Sequence, residues 1–174
     1  MKTCKDWFGV ASVHEPKMSL EIKGDKLFFE FRAEKKPTYD RAHRQGDFFY
    51  GLWEQDVAEF FVSGAGARYQ EINISPSGAW WSGLFSDYRV LESNQQFDCS
   101  IESKISSHSW EISFEAELRH FQPWRELPSS ERRISVASIL YDPDPQYFAW
   151  NHGGGGEPDF HRQDLFKVID ALSQ

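Results

Sequence analysis

The segment LWEQDVAEFFVSGAGARYQEINISPSGAWW, Leu52–Trp81, sets the fold class of this 174-residue chain. Period-two alternation within it predicts strands over Asp56–Ser63, Arg68–Ser75 and Gly78–Phe85. In the first, Ala58, Phe60 and Val62 share one face and Val57, Glu59 and Phe61 the other. Both faces are mainly apolar, so this strand is expected at the centre of a sheet, with Glu59 partly buried. In the next strand Ile72 and Ile74 belong to the core side, while Tyr69, Glu71 and Asn73 face away. Trp80 and Trp81 must point to opposite faces, one into the core and the other available to a ligand.

The same alternation recurs on both sides of this segment. Met18–Ile22 and Lys26–Ala33 read as a hairpin turning at Gly24-Asp25, followed by a long polar segment, Glu34–Asp47, of the kind that often borders binding sites. Further strands are expected at Tyr88–Glu92, Phe97–Ser106, Trp110–Leu118, Arg133–Leu140, Tyr147–Asn151 and near Lys167–Ile169. Turn residues separate them, as at Gly64-Ala65-Gly66, Pro76-Ser77-Gly78 and Asp142-Pro143-Asp144-Pro145. About ten short strands without a long helical period predict an all-β, antiparallel two-sheet β-sandwich. One or two short helical turns are expected, within Phe121–Glu131 and Arg162–Phe166. The length fits a single domain spanning residues 1–174.

Composition narrows the function. The formal charge is −8, from 19 basic and 27 acidic residues, and the basic clusters Lys35-Lys36 and Arg132-Arg133 are too short for a phosphate-binding face. A nucleic-acid partner is therefore not expected. The chain has no 18-residue apolar run, so no membrane span is predicted. The start, MKTCKDWFGV, shows no secretory signal, which predicts a cytoplasmic protein. Cys4 and Cys99 show no metal spacing and are read as free thiols. With 15 Phe, 7 Trp and 6 Tyr, most rings must fill the core, and the remainder offer flat apolar surface of the kind on which a sugar ring stacks.

Several residues carry candidate chemistry. A buried carboxylate such as Glu59 is costly unless paired or hydrogen-bonded. Two readings fit: a salt bridge to a neighbouring arginine, or a charged acceptor for two sugar hydroxyls. Trp53 precedes its strand, where a ring can stand at the sheet's edge. Tyr69 beside Glu71 and Asn73 suits a polyol, and equally an ordinary solvated face. Trp150-Asn151-His152 leads into the four glycines Gly153–Gly156 and then Pro158-Asp159-Phe160-His161-Arg162. Glu54 and Asp56 share a strand face opposite to Glu59, and neither a nucleophile elbow nor a P-loop is present, so no enzymatic activity is expected.

The motifs WEQDVAE (Trp53–Glu59), YQEINISPSGAWW (Tyr69–Trp81) and PDFHRQDLF (Pro158–Phe166) resemble the family 9 carbohydrate-binding modules and the wider DOMON-like sandwich superfamily. The resemblance runs over most of the chain, in the same order. It implies non-catalytic binding of a mono- or oligosaccharide in a slot between two aromatic rings. By motif, Trp53 is one ring, Phe160 the second and Glu59 the carboxylate acceptor, with Asn151 a further polar contact. Glu71, Asn73, Tyr69 and Trp81 complete the ligand-binding candidates. The chain departs from the family's sugar-binding members by Phe160, where they tend to have Trp, and by Glu71, where they place Arg. Related modules often hold a structural calcium, for which Asp142 and Asp144 are the candidates, although a proline-bearing turn explains them as well. No other cofactor is implied, and with Met1 and Met18 the only methionines, a haem-ligating methionine is not expected. The alternative is a structural or protein-interaction sandwich that keeps the fold without the sugar, its partner unspecified.

Overall fold

The computed structural model describes residues 1–151 and 156–169. Its strands are β1 (Lys2–Thr3), β2 (Lys5–Asp6), β3 (Lys17–Lys23), β4 (Lys26–Ala33), β5 (Val57–Ser63), β6 (Tyr69–Ile74) and β7 (Trp80–Asp87). There follow β8 (Val90–Asn94), β9 (Cys99–Ile105), β10 (Trp110–Glu117), β11 (Arg133–Tyr141), β12 (Pro145–Ala149) and β13 (Lys167–Val168). They form two antiparallel sheets, a smaller one ordered β1-β3-β4-β10-β9 and a larger one ordered β2-β12-β11-β5-β6-β7-β8, with β13 also pairing β11.

The sandwich interior follows from the alternation. Leu20, Leu27, Phe29, Phe31 and Phe114 of the smaller sheet meet Phe60, Ile72, Ile74 and Val136 of the larger. Phe60 bridges the layers, its ring centroid 5.0 Å from Phe29 and 5.4 Å from Phe114. Each such buried phenylalanine contributes about 1.5–3 kcal/mol. β5 is central, between β11 and β6, and all of its residues are buried.

The larger sheet is also covered in part on its second face, and that positions the site. Val57, Phe61, Tyr69, Trp81, Phe85 and Ala137 form a second apolar cluster with Leu52 and Phe166. Leu52 belongs to a 3-10 turn, Leu52–Glu54, ahead of β5, and Phe166 lies just before β13. These flanking segments leave a gap over the middle of the sheet.

Several features differ from the sequence reading, among them β12, which spans Pro145–Ala149 rather than Tyr147–Asn151. β1 and β2 were not expected, because two-residue strands are too short to show alternation. The Phe121–Glu131 region holds two separate 3-10 turns, Gln122–Trp124 and Ser129–Glu131, after a third at Leu118–His120. β7 continues to Asp87, so the next strand begins at Val90 rather than Tyr88. Tyr88 and Arg89 make the hairpin turn, with Arg89 at φ 55°, a left-handed conformation that non-glycine residues seldom adopt. Cys4, which is buried, and Cys99 are both free thiols.

Candidate functional site

The gap on the second face is a pocket of about 430 Å³. Aromatic rings from several segments border it. Trp53, half-buried in the turn before β5, packs against Tyr50 and Trp81 with centroids 4.6 and 5.9 Å away. Phe160, also half-buried and packed like Trp53 against the second apolar cluster, has Trp7 and Tyr147 as its ring neighbours, at 5.8 and 6.1 Å. Tyr141 of β11 lies on the lining as well, and its hydroxyl donates to the Trp53 carbonyl at 3.1 Å. The two rings read from the motifs therefore line one pocket, each held by its own neighbours.

Two acids share the floor. Glu59 on β5 pairs in register with Asn73 on β6, and Phe61 with Glu71, so Glu59 and Glu71 are diagonal neighbours on one face. Glu59 is 3% exposed and Glu71 5%. The Asn73 amide donates to Glu71 Oε1 at 2.9 Å. Among the described residues nothing donates a hydrogen bond to the Glu59 carboxyl, and the salt bridge to an arginine that the sequence left open is not formed. Burial, followed by the repulsion of Glu71, pushes Glu59 well above the ordinary carboxylate range. Burial also lifts Glu71 to about 7, against the opposing pull of the Asn73 bond and Arg89. The pair thus holds a proton near neutral pH.

A polar latch closes one side. The Tyr69 hydroxyl accepts from the Arg89 backbone N–H at 3.1 Å and contacts His161 Nδ1 at 2.7 Å. Assigning the hydroxyl proton to the His161 bond leaves the imidazole proton on Nε2. That atom lies 3.9 Å from Glu71 Oε2, too far for a hydrogen bond. Burial, then Arg89, lowers His161 to about 4, so it is neutral at pH 7 and makes no ion pair with Glu71. Arg89 Nη2 donates to Asp159 Oδ1 at 3.0 Å, and the Tyr88 hydroxyl to Asp159 Oδ2 at 2.7 Å. The β7–β8 turn is thereby tied to the segment that carries Phe160.

Not every candidate reaches the pocket in the expected way. Trp81 borders it but is 1% exposed, its Nε1 bonded to Asn94 Oδ1 at 2.9 Å. It is thus a buried support rather than an available ring, while Trp80 packs between the sheets as one of the pair had to. Tyr69 is buried beneath the pocket, stacked on Phe85 with centroids 4.6 Å apart, and does not line it. Asn73 is spent on Glu71, with its Oδ1 unbonded among the described residues. Asn151 lies off the lining. His152 and Gly153–Gly155, most of the glycine loop, lie outside the described residues.

Asp142 and Asp144 are exposed in a turn containing a cis Asp142-Pro143 bond, and Asp142 Oδ2 meets His14 Nε2 at 2.6 Å. Among the described residues no three acids, histidines or cysteines, His14 with this pair included, gather into a group that could hold a metal ion. Sequence reasoning did not nominate His161, Arg89, Tyr50 or Tyr141. His161 lies inside the quoted PDFHRQDLF motif, whereas Arg89 carries no local signal, since only the turn aims it at the pocket.

No family model matches the chain, and no curated protein does. Solved structures do. A proposed carbohydrate-binding protein from Bacteroides uniformis superposes with a TM-score of 0.73 at 16% identity, over 94% of this chain and 83% of that one. A family 9 carbohydrate-binding module from Caldicellulosiruptor kristjanssonii in complex with glucose gives 0.53 at 8% identity, over 95% and 78%. The same organism's module with cellotriose gives 0.54 at 8%, over 94% and 75%. At these identities the likeness is one of fold, and this chain has the β-sandwich fold of the family 9 carbohydrate-binding modules.

Proposed function

We propose that the pocket binds a saccharide or related polyol without chemically altering it. The observation that carries this reading is the conjunction of the half-buried Trp53 and Phe160 rings with the buried Glu59 carboxyl on one pocket lining. Rings offer flat apolar surface to the C–H face of a sugar, and a carboxyl can exchange hydrogen bonds with its hydroxyls. The volume lies within the range of small-ligand sites, about 300–1,000 Å³. Structural neighbours that hold glucose and cellotriose support the ligand class.

Glu59 and Glu71 rise from adjacent strands of one sheet face and so meet a ligand from the same side. Glycoside cleavage instead places its two carboxyls flanking the scissile bond. This favours binding over hydrolysis.

Burial of about 100 Å² of sugar face contributes roughly 2.5 kcal/mol. A few hydrogen bonds add about 1 kcal/mol each. Association costs on the order of 4 kcal/mol or more, which sets affinity between roughly micromolar and millimolar. Titration of mono- and disaccharides against tryptophan fluorescence is expected to saturate with at least one sugar, with no product released from aryl glycosides. Trp53→Ala is expected to abolish the response at a stability cost of about 1–2 kcal/mol, less than the cost of about 3–5 kcal/mol for truncating a fully buried tryptophan. Silence from every sugar at concentrations of about 10 mM or more would remove the proposal.

A further inference from the structure

The floor of the pocket carries two acids and no cation of its own. Glu59, 3% exposed, lines the pocket and has no hydrogen-bond donor among the described residues. Glu71 has the neutral Asn73 amide. The cationic group on the lining, Arg89, is engaged by Asp159, and His161 is neutral, with Nδ1 committed to Tyr69. Tyr141 and Tyr147 border the site from β11 and β12, and Tyr50 from the turn side, and none of the three is a basic side chain. Asp56, just ahead of β5, is bonded to Lys35 and is not on the lining.

Two adjacent buried carboxyls must retain protons unless a positive charge enters. A neutral hexose supplies hydroxyls alone. An ammonium group supplies charged donors to the acids and is attracted by the surrounding ring faces.

We propose that the preferred ligand of this pocket is a saccharide bearing a free primary amine, a hexosamine, whose ammonium group docks at the Glu59–Glu71 pair. This rests on the sugar-binding reading of the same pocket and names its ligand class. The ammonium takes the place of a proton held by the pair, which leaves to solvent as the ligand enters.

The test is calorimetry at about pH 6.5 with glucosamine, glucose and N-acetylglucosamine, in buffers of different ionisation enthalpy. Glucosamine is expected to bind about tenfold more tightly than glucose, the difference between a charged and a neutral hydrogen bond. Its apparent heat should vary with buffer because a proton is released, whereas that of glucose should not. N-acetylglucosamine, in which acetylation removes the charge and enlarges the substituent, should bind no tighter than glucose. Glu59→Gln, which removes a buried acid without changing shape, should bring the glucosamine and glucose affinities within about twofold of each other. Equal or tighter binding of glucose would overturn the amine preference and leave the sugar site standing. Silence from all three sugars while another saccharide of the wider titration saturates would overturn the amine preference alone, and silence from every sugar would overturn both.

Discussion

Gly83 shapes the floor of the pocket without touching a ligand. A Cβ at this position would fall 2.2 Å from Trp81 Cη2 and 2.9 Å from Leu91 Cδ1. The Trp81 indole therefore lies along its own strand, over the bare backbone two residues on, and supports the Trp53–Tyr50 cluster. Gly83→Ala is expected to cost about 1–3 kcal/mol by overpacking. It should also push Trp81 outward, read as a lower unfolding temperature together with a shifted tryptophan emission. A glycine inside a strand pattern is itself a signal of close approach. What approaches it is not legible, since Trp81 reads locally as an available ring.

The turn carrying Trp53 is held by Asp56 and its partners. Asp56 is fully buried, bonded to Lys35 Nζ at 2.5 Å, the Thr38 N–H at 2.9 Å and the Tyr141 N–H at 2.7 Å. One carboxylate thus joins the polar segment before β5 to the end of β11. The EQDVAE run suggests an acid on a strand face, yet the strand begins only at Val57 and Asp56 serves as an anchor. Asp56→Asn would leave Lys35, 6% exposed, without its counter-charge. It is expected to lower stability by about 3–5 kcal/mol in denaturant unfolding, and Lys35→Met in the same chain should recover part of that loss. The polar segment was expected near a binding site. Its lysine is needed for the turn that presents a pocket ring.

Folding moves protons in opposite directions at the two sides of the pocket. It raises Glu71 from 4.5 to about 7, with Glu59 moving the same way, and lowers His161 from 6.5 to about 4. For the raised carboxyls the folded state binds more protons. Their stabilising contribution is complete below pH 4.5 and is lost as pH rises through about 7. For His161 the folded state binds fewer protons, so stability grows with pH between about 4 and 6.5. The trends oppose one another up to pH 6.5, above which only the carboxyl loss remains. The unfolding temperature is expected to fall as pH rises above 6.5, and Glu71→Gln should flatten that fall.

Alternation is a property of consecutive residues, and it was sufficient to place Glu59 opposite Ala58 and Phe60, and Tyr69, Glu71 and Asn73 opposite Ile72 and Ile74. The all-β class and nearly every strand follow from the same local rule. Register and cover are set by residues far apart in the chain. The pairing of β5 with β6 makes Glu59 and Glu71 neighbours. The C-terminal segment brings Phe160 and His161 to a pocket whose floor lies some hundred residues earlier. The left-handed turn at Arg89 and the burial of Trp81 likewise arise only once distant side chains compete for the same space.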